Sequence, residues 1–398
     1  MRILWVGTKP PWPPEDGGRL VAANTIEALA AAGHEVAVVA PSLGETAARD
    51  LPDDVALHAV DAQPRSLAAA VLQAVVTGVP VSIARHSRPA LRAQVTRLLA
   101  ERSFDVVHAE QAQALPQCER AWAAGRPVVF RAQNVESELW AAAGEGRLGG
   151  WLARLEGARF ARWEGGAVRR AAAAVALTEE DATRLEAFAS DHRRVHVIPA
   201  PVAGELPSAE RPLAGDPALV LMGSPRWLPN RQGAEWFVAE AWPRVRSILP
   251  EARLHLFGFE TPAVAADGLE LHPAPRESRD AFPAGAVLVV PLSVASGVRM
   301  KILEAWARGV PVVATPAAAA GLGAENGREL LVAQEAEAFV AALRRLRNEP
   351  GLATALTRAG RALLKRRHDP TAVAAALARV YATAGGAKSP DGVTRSTR

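Results

Sequence analysis

The chain has 398 residues, a length that fits two α/β domains better than one ordinary core. Hydrophobic residues make up 49% of it and charged residues 22%, which excludes a disordered or fibrous protein. The net charge is +4, but arginine and alanine are abundant along the whole chain, so this balance is compositional and no nucleic-acid partner is expected.

Compartment and membrane contact can be addressed from the same sequence. The single cysteine, Cys118, excludes an internal disulfide framework and a thiolate metal cluster, and it fits a reducing compartment. The first apolar run is shorter than the core of a secretory signal, and charged residues interrupt every alanine-rich segment. We therefore expect a cytoplasmic protein. The arginine-rich segments 85–102 and 154–170 are interpreted as solvated helix faces, with peripheral contact to the inner face of a membrane as the alternative.

Short apolar runs alternate with longer helical patterns along the chain, which is typical of parallel sheets with crossover helices. The runs are apolar throughout, so both faces of each sheet should be buried. In the first half we predict strands that begin at Ile3, Val36, Val55, Asp105, Pro127, Ala173 and Val195. In the second half we predict strands that begin at Ala218, Arg253, Leu269, Ala286, Pro311 and Glu329.

Two doubly wound, Rossmann-like α/β domains are therefore expected, over residues 1–200 and 218–369. The proline-rich stretch 201–217 is predicted to link them. A helix over 370–384 is expected to return toward the first domain. The tail 385–398 mixes small, polar and charged residues without an apolar period, so it should be disordered.

The segment 286–315 reads as strand, loop, helix and strand. Its loop is followed by a helix predicted from about Val298 to Ala307, and Gly297 lies just before that helix. A glycine turn that leads into a helix N-terminus presents free N–H groups to a phosphate. Arg299 and Lys301 add positive charge there, and lysine is rare in this chain, with four among the 46 basic residues.

Glu304 follows about a turn and a half into the same helix, among residues that are predicted to be buried. A carboxylate near the carboxyl edge of a sheet can accept two hydrogen bonds from a ribose diol. The alternative, a solvated helix glutamate, is disfavoured because an unpaired carboxylate would be costly among apolar neighbours.

The sequence GVRMKILEA, residues 297–305, resembles the donor-binding signature of retaining glycosyltransferases of the GT-B fold, family 4 or glycosyl transferases group 1. The resemblance implies two Rossmann-like domains that face a cleft, and it implies that Glu304 holds the ribose of a nucleotide sugar. Ser296 stands where many members have a second glutamate, so the chain resembles the subgroup with a GxRxKILEA motif. The donor loop would then comprise Ser296, Gly297 and Val298.

Residues 218–250 resemble the first strand, turn and helix of the C-terminal domain of that family. By this resemblance Arg226 and Arg231 would contact the donor diphosphate, with Asn230 beside them. Gly258, which follows the next strand, would lie close to the base.

The N-terminal half also resembles the family, from its opening strand and proline-rich loop to the Gly17–Gly18 turn that would form one wall of the cleft. PVVFRAQNVESELW, residues 127–140, resembles a strand end at which the family has a histidine that faces the donor sugar. Gln133 occupies that position, and Asn134 and Glu136 are further catalytic candidates. His108 is interpreted as a structural residue rather than a catalytic one.

The predicted activity is transfer of a sugar from a UDP- or GDP-sugar to a glycan, glycolipid or small-molecule acceptor, with the retention that the resemblance implies. Cations and helix N–H groups would stabilise the leaving diphosphate. No metal or other cofactor is expected, because the sequence shows neither a DxD pair nor clustered His or Cys ligands. A sugar-nucleotide epimerase and a catalytically silent nucleotide-sugar-binding protein are the alternatives. A dehydrogenase is disfavoured because no GxGxxG follows the first strand. The oligomeric state stays open.

Overall fold

The protein is represented by a computed structural model. It describes residues 1–42, 51–143, 150–189, 195–259, 266–275, 277–294 and 296–386. The tail predicted to be disordered lies outside the described residues from position 387 onward. None of the helices within the described ranges combines the length and the apolar character that crossing a bilayer would require.

Every strand predicted from the sequence is present. The strands are β1 (Arg2–Val6), β2 (Glu35–Pro41), β3 (Val55–Val60), β4 (Val106–Glu110), β5 (Val128–Ala132), β6 (Ala173–Ala176), β7 (Val195–Val197), β8 (Ala218–Met222), β9 (Arg253–Phe257), β10 (Leu269–His272), β11 (Ala286–Val290), β12 (Val312–Ala314) and β13 (Leu331–Val332).

The helices alternate with these strands along the chain. They are α1 (Gly17–Ala31), α2 (Leu67–Thr77), α3 (Val81–His86), α4 (Pro89–Glu101), α5 (Glu119–Ala123), α6 (Glu136–Ala143), α7 (Gly150–Arg170), α8 (Glu179–Ala189), α9 (Leu228–Trp236), α10 (Trp242–Ile248), α11 (Met300–Ala307), α12 (Pro316–Ala319), α13 (Ala336–Asn348), α14 (Leu352–Arg367) and α15 (Pro370–Ala384). A π-helical turn, Phe237–Ala241, joins α9 to α10, and two 3₁₀ turns cover Ala112–Cys118 and Ser278–Ala281.

The chain divides into two compact units. The first contains residues 1–14, 18–201 and the segment from Pro370 onward, and the second contains residues 15–17 and 202–369. Helix α15 therefore belongs to the first unit, although it follows the second unit in the sequence.

The first unit is built on a seven-stranded parallel sheet with the order β3-β2-β1-β4-β5-β6-β7. Successive residues of β1 point to opposite faces of the sheet: Leu4 and Val6 join one apolar core, whereas Ile3 and Trp5 join the other. Helix α15 covers the second face through apolar residues that include Tyr381. Both faces are thus buried, as the continuous apolar runs predict.

The second unit contains a six-stranded parallel sheet with the order β10-β9-β8-β11-β12-β13. One face packs on α10 and α13 in a core that includes Leu219, Leu254 and Phe339. In each unit the strand order reverses once, between β1 and β4 in the first sheet and between β8 and β11 in the second. Ligands of doubly wound sheets bind at the carboxyl ends of the strands beside such a reversal, so these two places are where a site is expected.

A pair of adjacent glycines in α7 tests how the first unit is packed. A Cβ on Gly165 would lie 2.1 Å from the carbonyl oxygen of Phe188 in α8, whereas the nearest atom to a Cβ on Gly166 is 3.9 Å away. We expect Gly165→Ala to lower the free energy of unfolding by about 1–3 kcal/mol, because backbone must move. Gly166→Ala should leave it unchanged or raise it by up to about 1 kcal/mol.

Urea denaturation followed by circular dichroism measures both variants. Equal midpoints for Gly165→Ala and Gly166→Ala would contradict the close contact between α7 and α8.

Candidate functional site

A buried lysine lies at the strand-order reversal of the second sheet. Lys301 follows β11 on α11, and its Nζ donates a hydrogen bond of 2.6 Å to the carbonyl oxygen of Met222, the last residue of β8. A second bond of 3.0 Å goes to Oδ1 of Asn230 on α9. Both acceptors are uncharged. Desolvation lowers the pKa of Lys301 to about 8.

Close backbone packing around these groups leaves room only for glycine. A Cβ on Gly223 would lie 2.4 Å from the side-chain nitrogen of Asn230, and one on Gly233 would lie 2.4 Å from the carbonyl oxygen of Pro291. Gly258 has φ of 87°, and its Cβ would lie 2.6 Å from the carbonyl oxygen of Gly223. The carboxyl ends of β8, β9 and β11 are therefore held together tightly, with Asn230 and Lys301 between them.

The two arginines predicted to contact a diphosphate lie on the surface near Asn230. Arg226 is exposed in the turn after β8, where its backbone N–H donates to Ser224 Oγ at 3.3 Å. Arg231 is in the first turn of α9, half exposed, with its Nε 3.9 Å from a carboxylate oxygen of Glu235. The structure thus places both arginines beside the lysine-containing end of the sheet, and it pairs Arg231 with its own helix.

Arg299 has a different environment from the one the sequence predicts. Its side chain is only 6% exposed, its Nε donates to the carbonyl oxygen of Ala318 at 2.9 Å, and its Nη1 donates to the carbonyl oxygen of Gly297. Arg299 therefore braces the loop that precedes α11. Helix α11 begins at Met300, two residues after the predicted start at about Val298. Gly297 has a φ of 70°, and the N–H of Met300 donates to the carbonyl oxygen of Val298, so the chain turns here before the helix begins. Ser296 is buried in the same loop.

Glu304 is buried on α11 and is held by two partners. Ser278 Oγ donates to its Oε1 at 2.5 Å, and Nη2 of Arg308 lies 3.5 Å from the same oxygen. Arg308 also donates to Ser278 Oγ at 3.1 Å, which closes a triangle. Burial raises the pKa of Glu304, and Ser278 and Arg308 oppose that rise. Within the described part of the chain, Oε2 of Glu304 makes no hydrogen bond.

Neither partner of Glu304 was identified from the sequence. Arg308 directly follows α11, four positions after Glu304, and this spacing is a signal that could have indicated the ion pair. Ser278 comes from a separate turn, and its approach depends on the tertiary fold.

Two histidines that are distant in the sequence lie together in the second sheet. His255 on β9 and His272 on β10 lie with their Nδ1 and Nε2 atoms 2.9 Å apart, and Glu270 has a carboxylate oxygen 3.5 Å from His255 Nδ1. The register pairs Glu270 with His255 across parallel strands, which a linear motif search does not detect. These side chains are of types that bind Zn²⁺. His255 Nδ1 and His272 Nε2 are hydrogen-bonded to each other, and His255 Nε2 is hydrogen-bonded to the carbonyl oxygen of Ala214. These three nitrogens are therefore satisfied without an ion.

The corresponding place in the first sheet contains a buried ion pair. Arg131 on β5 contacts Glu110 on β4 through Nε at 3.0 Å and Nη2 at 2.8 Å, and its Nη1 donates to Thr25 Oγ1 at 2.9 Å. His108 stacks on Trp5 with ring centroids 3.8 Å apart. Because Arg131 and Glu110 neutralise each other, this end of the sheet is compensated in charge.

His108 is completely buried in this network, which agrees with the structural role expected for it. Its Nε2 lies 2.9 Å from Glu110, and its Nδ1 lies 2.7 Å from the hydroxyl of Tyr381. Burial lowers the pKa of His108 to about 4, so the ring is neutral at pH 7. A neutral ring that donates through Nε2 to the carboxylate accepts a hydrogen bond at Nδ1 from the Tyr381 hydroxyl.

Gln133 is 4% exposed at the carboxyl end of β5, and its amide is fully used. Nε2 donates to Glu110 Oε1 at 2.6 Å and to the carbonyl oxygen of Gly18 at 2.9 Å, while Oε1 accepts from Gln111 Nε2 at 2.7 Å. Gln111 has φ of 68°, a strained value for a residue with a side chain. Gln133 therefore fixes the Gly18 turn against the end of the sheet.

A small pocket opens at this edge of the first unit. Its lining includes Thr8, Lys9, Gly18, Arg19, Gln111 and Gln133. Gly17, the other glycine of the predicted turn, lies beside Met300 in the second unit.

The remaining candidates lie where α6 begins. Asn134 is half-buried after β5, and Glu136 is the first residue of α6. Burial raises the pKa of Glu136, which a hydrogen bond from Gln113 and the charge of Lys9 oppose. Glu164, which the sequence did not single out, accepts from the N–H of Glu136 at 2.7 Å, and burial raises the pKa of Glu164 to about 7.

The buried pair at the first sheet makes a testable prediction. Glu110→Gln leaves Arg131 charged and buried without its carboxylate, so we expect the free energy of unfolding to fall by about 3–5 kcal/mol. The control is Glu119→Gln, which removes an exposed two-bond contact with Arg170 at 2.7 and 2.8 Å. An exposed pair contributes at most about 1 kcal/mol.

Both variants are measured by urea denaturation at pH 7. If Glu110→Gln and Glu119→Gln have similar effects, the network does not hold the first sheet as the distances imply.

Comparison with known proteins gives two family matches. Residues 16–201 match the family described as glycosyl transferase 4-like domain, and residues 216–349 match the family described as glycosyl transferases group 1. The two matches are consecutive and together include most of the described chain. No curated protein matches the sequence.

Solved structures with the same fold cover nearly all of the chain. Sucrose-phosphate synthase from Thermosynechococcus elongatus has a TM-score of 0.73 at 16% identity, over 96% of this chain and 98% of that one. Anabaena Alr3699/HepE in complex with UDP and glucose has a TM-score of 0.67 at 14% identity, over 96% and 100%. A glycosyltransferase from Rickettsia africae has a TM-score of 0.64 at 12% identity, over 96% and 98%.

Proposed function

The chain is a GT-B glycosyltransferase with a 4-like domain followed by a group 1 domain, and we propose that it transfers a sugar from a UDP- or GDP-sugar to a glycan, glycolipid or small-molecule acceptor with retention of configuration. The observation that carries the donor part of this proposal is the Lys301 ammonium at the strand-order reversal of the second sheet. Its acceptors are the neutral oxygens of Met222 and Asn230.

Negative charge builds on the diphosphate when the sugar leaves, and a positive charge fixed nearby lowers that barrier. Lys301 is already positioned by two hydrogen bonds, so little reorganisation is needed when the charge develops. Arg226 and Arg231, in the turn after β8 and on α9, add positive charge from the surface. Arg299 contributes by holding the loop at Ser296 to Val298 in place, since its guanidinium bonds to backbone carbonyls.

Glu304 is proposed to bind the ribose. Ser278 and Arg308 both hold its Oε1, which fixes the carboxylate plane and leaves Oε2 for a hydroxyl. The uridine nucleotide is the first to test, because the Anabaena protein of the same fold is solved with UDP and glucose. Gly258, whose backbone packs against Gly223, is proposed to lie near the base.

The role of Gln133, Asn134 and Glu136 is proposed to be on the sugar side, at the carboxyl end of β5. Gln133 is a positioning residue in this proposal, because its amide holds Glu110 and Gly18.

The reaction is proposed to need no metal ion, since Lys301 and the surface arginines supply the positive charge. An activity that EDTA abolishes would overturn this part. The anomeric NMR signal of the product reports its configuration, and inversion would overturn retention.

Nucleotide binding to Glu304 variants tests the donor site. We expect UDP to bind the wild-type protein in titration calorimetry, in the presence of EDTA. Glu304→Gln should weaken it by about tenfold or more, because a hydrogen bond to a charged group contributes about 1.5–3 kcal/mol. Glu349→Gln, which changes an exposed glutamate in the same unit, is the control.

Two outcomes would contradict this. A folded wild-type protein that binds none of UDP, GDP or ADP would favour the catalytically silent alternative. Equal weakening by Glu304→Gln and Glu349→Gln would move the donor site away from α11.

The pH dependence of binding tests Lys301. With its pKa lowered to about 8, the free protein loses the Lys301 charge as the pH rises through 8, so UDP affinity should fall above that value. The limiting decrease is about tenfold per pH unit, and binding should be accompanied by proton uptake. Lys301→Arg keeps its charge and should abolish this decrease, whereas Lys365→Arg on the exposed side of α14 should not.

Calorimetry in buffers of different ionisation enthalpy measures both quantities. A wild-type affinity that stays constant across this range would contradict the proposal that a lysine of lowered pKa binds the diphosphate.

A further inference from the structure

Exposed large apolar side chains are concentrated on two helices of the first unit. On α2 they are Leu67, Val71, Leu72, Val75 and Val76, with exposed fractions between 43% and 75%. On the first turns of α7 they are Trp151, Leu152 and Leu155, which are 66%, 55% and 41% exposed. In the described part of the chain, the one other exposed large apolar residue is Ile248, in the second unit.

Helix α2 has the reverse of the usual orientation of a surface helix. Its buried residues are Ala70 and Ala74, so two small side chains face the protein and the large apolar ones face outward. The helix contains no charged residue. Its ends are capped, by Ser66 at the N-terminus and by Gly78 at the C-terminus, so it is a complete helix and not a frayed segment.

The start of α7 is linked to α2 through α3. Helix α2 packs on α3, and the N–H of Val81, the first residue of α3, donates to the carboxylate of Glu156 on α7. Glu156 is one residue beyond Leu155, so the apolar side chains of the two helices border a common surface. We call this set of eight side chains on α2 and α7 the apolar surface.

The rim of the apolar surface is basic. Residues 62–100 contain five arginines, and the nearest acidic residues in the sequence are Asp61 and Glu101, one on each side of this segment. Of the arginines, Arg65 and Arg85 flank α2 and are exposed, and Arg154 is exposed between Leu152 and Leu155 on α7. The one acidic residue near the link, Glu156, is buried and used by Val81.

We propose that the apolar surface docks on an anionic lipid bilayer, with the large side chains of α2, together with Trp151, in the interfacial region. An apolar helix face with an arginine rim and a tryptophan at the boundary meets both requirements of that environment, apolar insertion and attraction to lipid phosphates. A two-fold contact with a second copy meets only the first, because it would bring the same arginines of both copies together.

At about 1.5 Å per residue, α2 is far shorter than the thickness of a bilayer, so it lies along the surface and does not cross it. If the proposed glycosyl transfer is correct, this placement presents the protein to acceptors that are anchored in the same bilayer. The docking itself needs no nucleotide and stands apart from that activity.

Vesicle flotation of the full-length protein without nucleotide tests the proposal. We expect binding to vesicles of equimolar phosphatidylcholine and phosphatidylglycerol, and much weaker binding to phosphatidylcholine alone. The double variant Leu72→Gln with Val76→Gln should bind the anionic vesicles at least about tenfold more weakly. Both positions are exposed, so circular dichroism should show an unchanged fold.

Two further variants separate the contributions. Arg85→Gln with Arg154→Gln should remove the preference for phosphatidylglycerol. Ile248→Gln, an exposed apolar residue of the second unit, should bind like the wild type.

Three results would overturn the proposal. One is wild-type protein that does not float with either vesicle. Another is equal loss with Ile248→Gln and the α2 double variant. The third is a wild-type dimer in sedimentation equilibrium without lipid that the α2 double variant converts to monomer, which would assign the surface to a second copy. These flotation and sedimentation results do not depend on UDP binding, so a failure of the proposed donor site would leave the test of docking unchanged.

Discussion

The hydrogen bond from Lys301 Nζ to the carbonyl oxygen of Met222 ties the helix after β11 to the end of β8, across the strand-order reversal of the second sheet. A charged amine in this position costs free energy, since desolvation is not offset by a carboxylate. The structure accommodates it through neutral dipoles and tight glycine packing at Gly223 and Gly233. A cation held in this way destabilises the protein alone and is stabilised by an anion, which is the arrangement expected of a site that binds a diphosphate.

The first sheet has the same strand order at its reversal but the opposite electrostatic arrangement. Glu110 neutralises Arg131, and His108 is kept neutral between Glu110 and Tyr381. Gln133 uses its remaining hydrogen-bonding capacity on the same carboxylate and on Gly18. The geometry of this end of the sheet is fixed, and the buried charges of Glu110 and Arg131 compensate each other. Strand order therefore determines where these two groups of side chains lie, and their charge distinguishes one group from the other.

The strands were predictable because both faces of each sheet are buried, which makes every strand a continuous apolar run. Lys301 and Glu304 could be located because each is a rare residue type in its local context. The use of Arg299 by Gly297 and Ala318 could not be predicted, because a helix N-terminus beside a glycine turn has the same sequence whether its arginine faces a ligand or the backbone. Contacts between distant segments were missed because nothing in the sequence indicates which segments the fold brings together. His108 and Tyr381, for example, are separated by 273 positions.

Helix α2, which carries most of the proposed docking surface, was not singled out from the sequence. Charge density in the sequence drew attention to segments 85–102 and 154–170, and both supply rim arginines. The apolar part of the surface lies instead on a helix whose sequence is that of an ordinary core element. Only the burial of Ala70 and Ala74 shows which face is inside. Small residues inward allow α2 to pack closely on α3, and the larger side chains must then face outward. A hydrophobic pattern indicates the period of a helix, but it does not indicate whether the apolar face packs on the protein. In α2 the large apolar side chains face away from the protein.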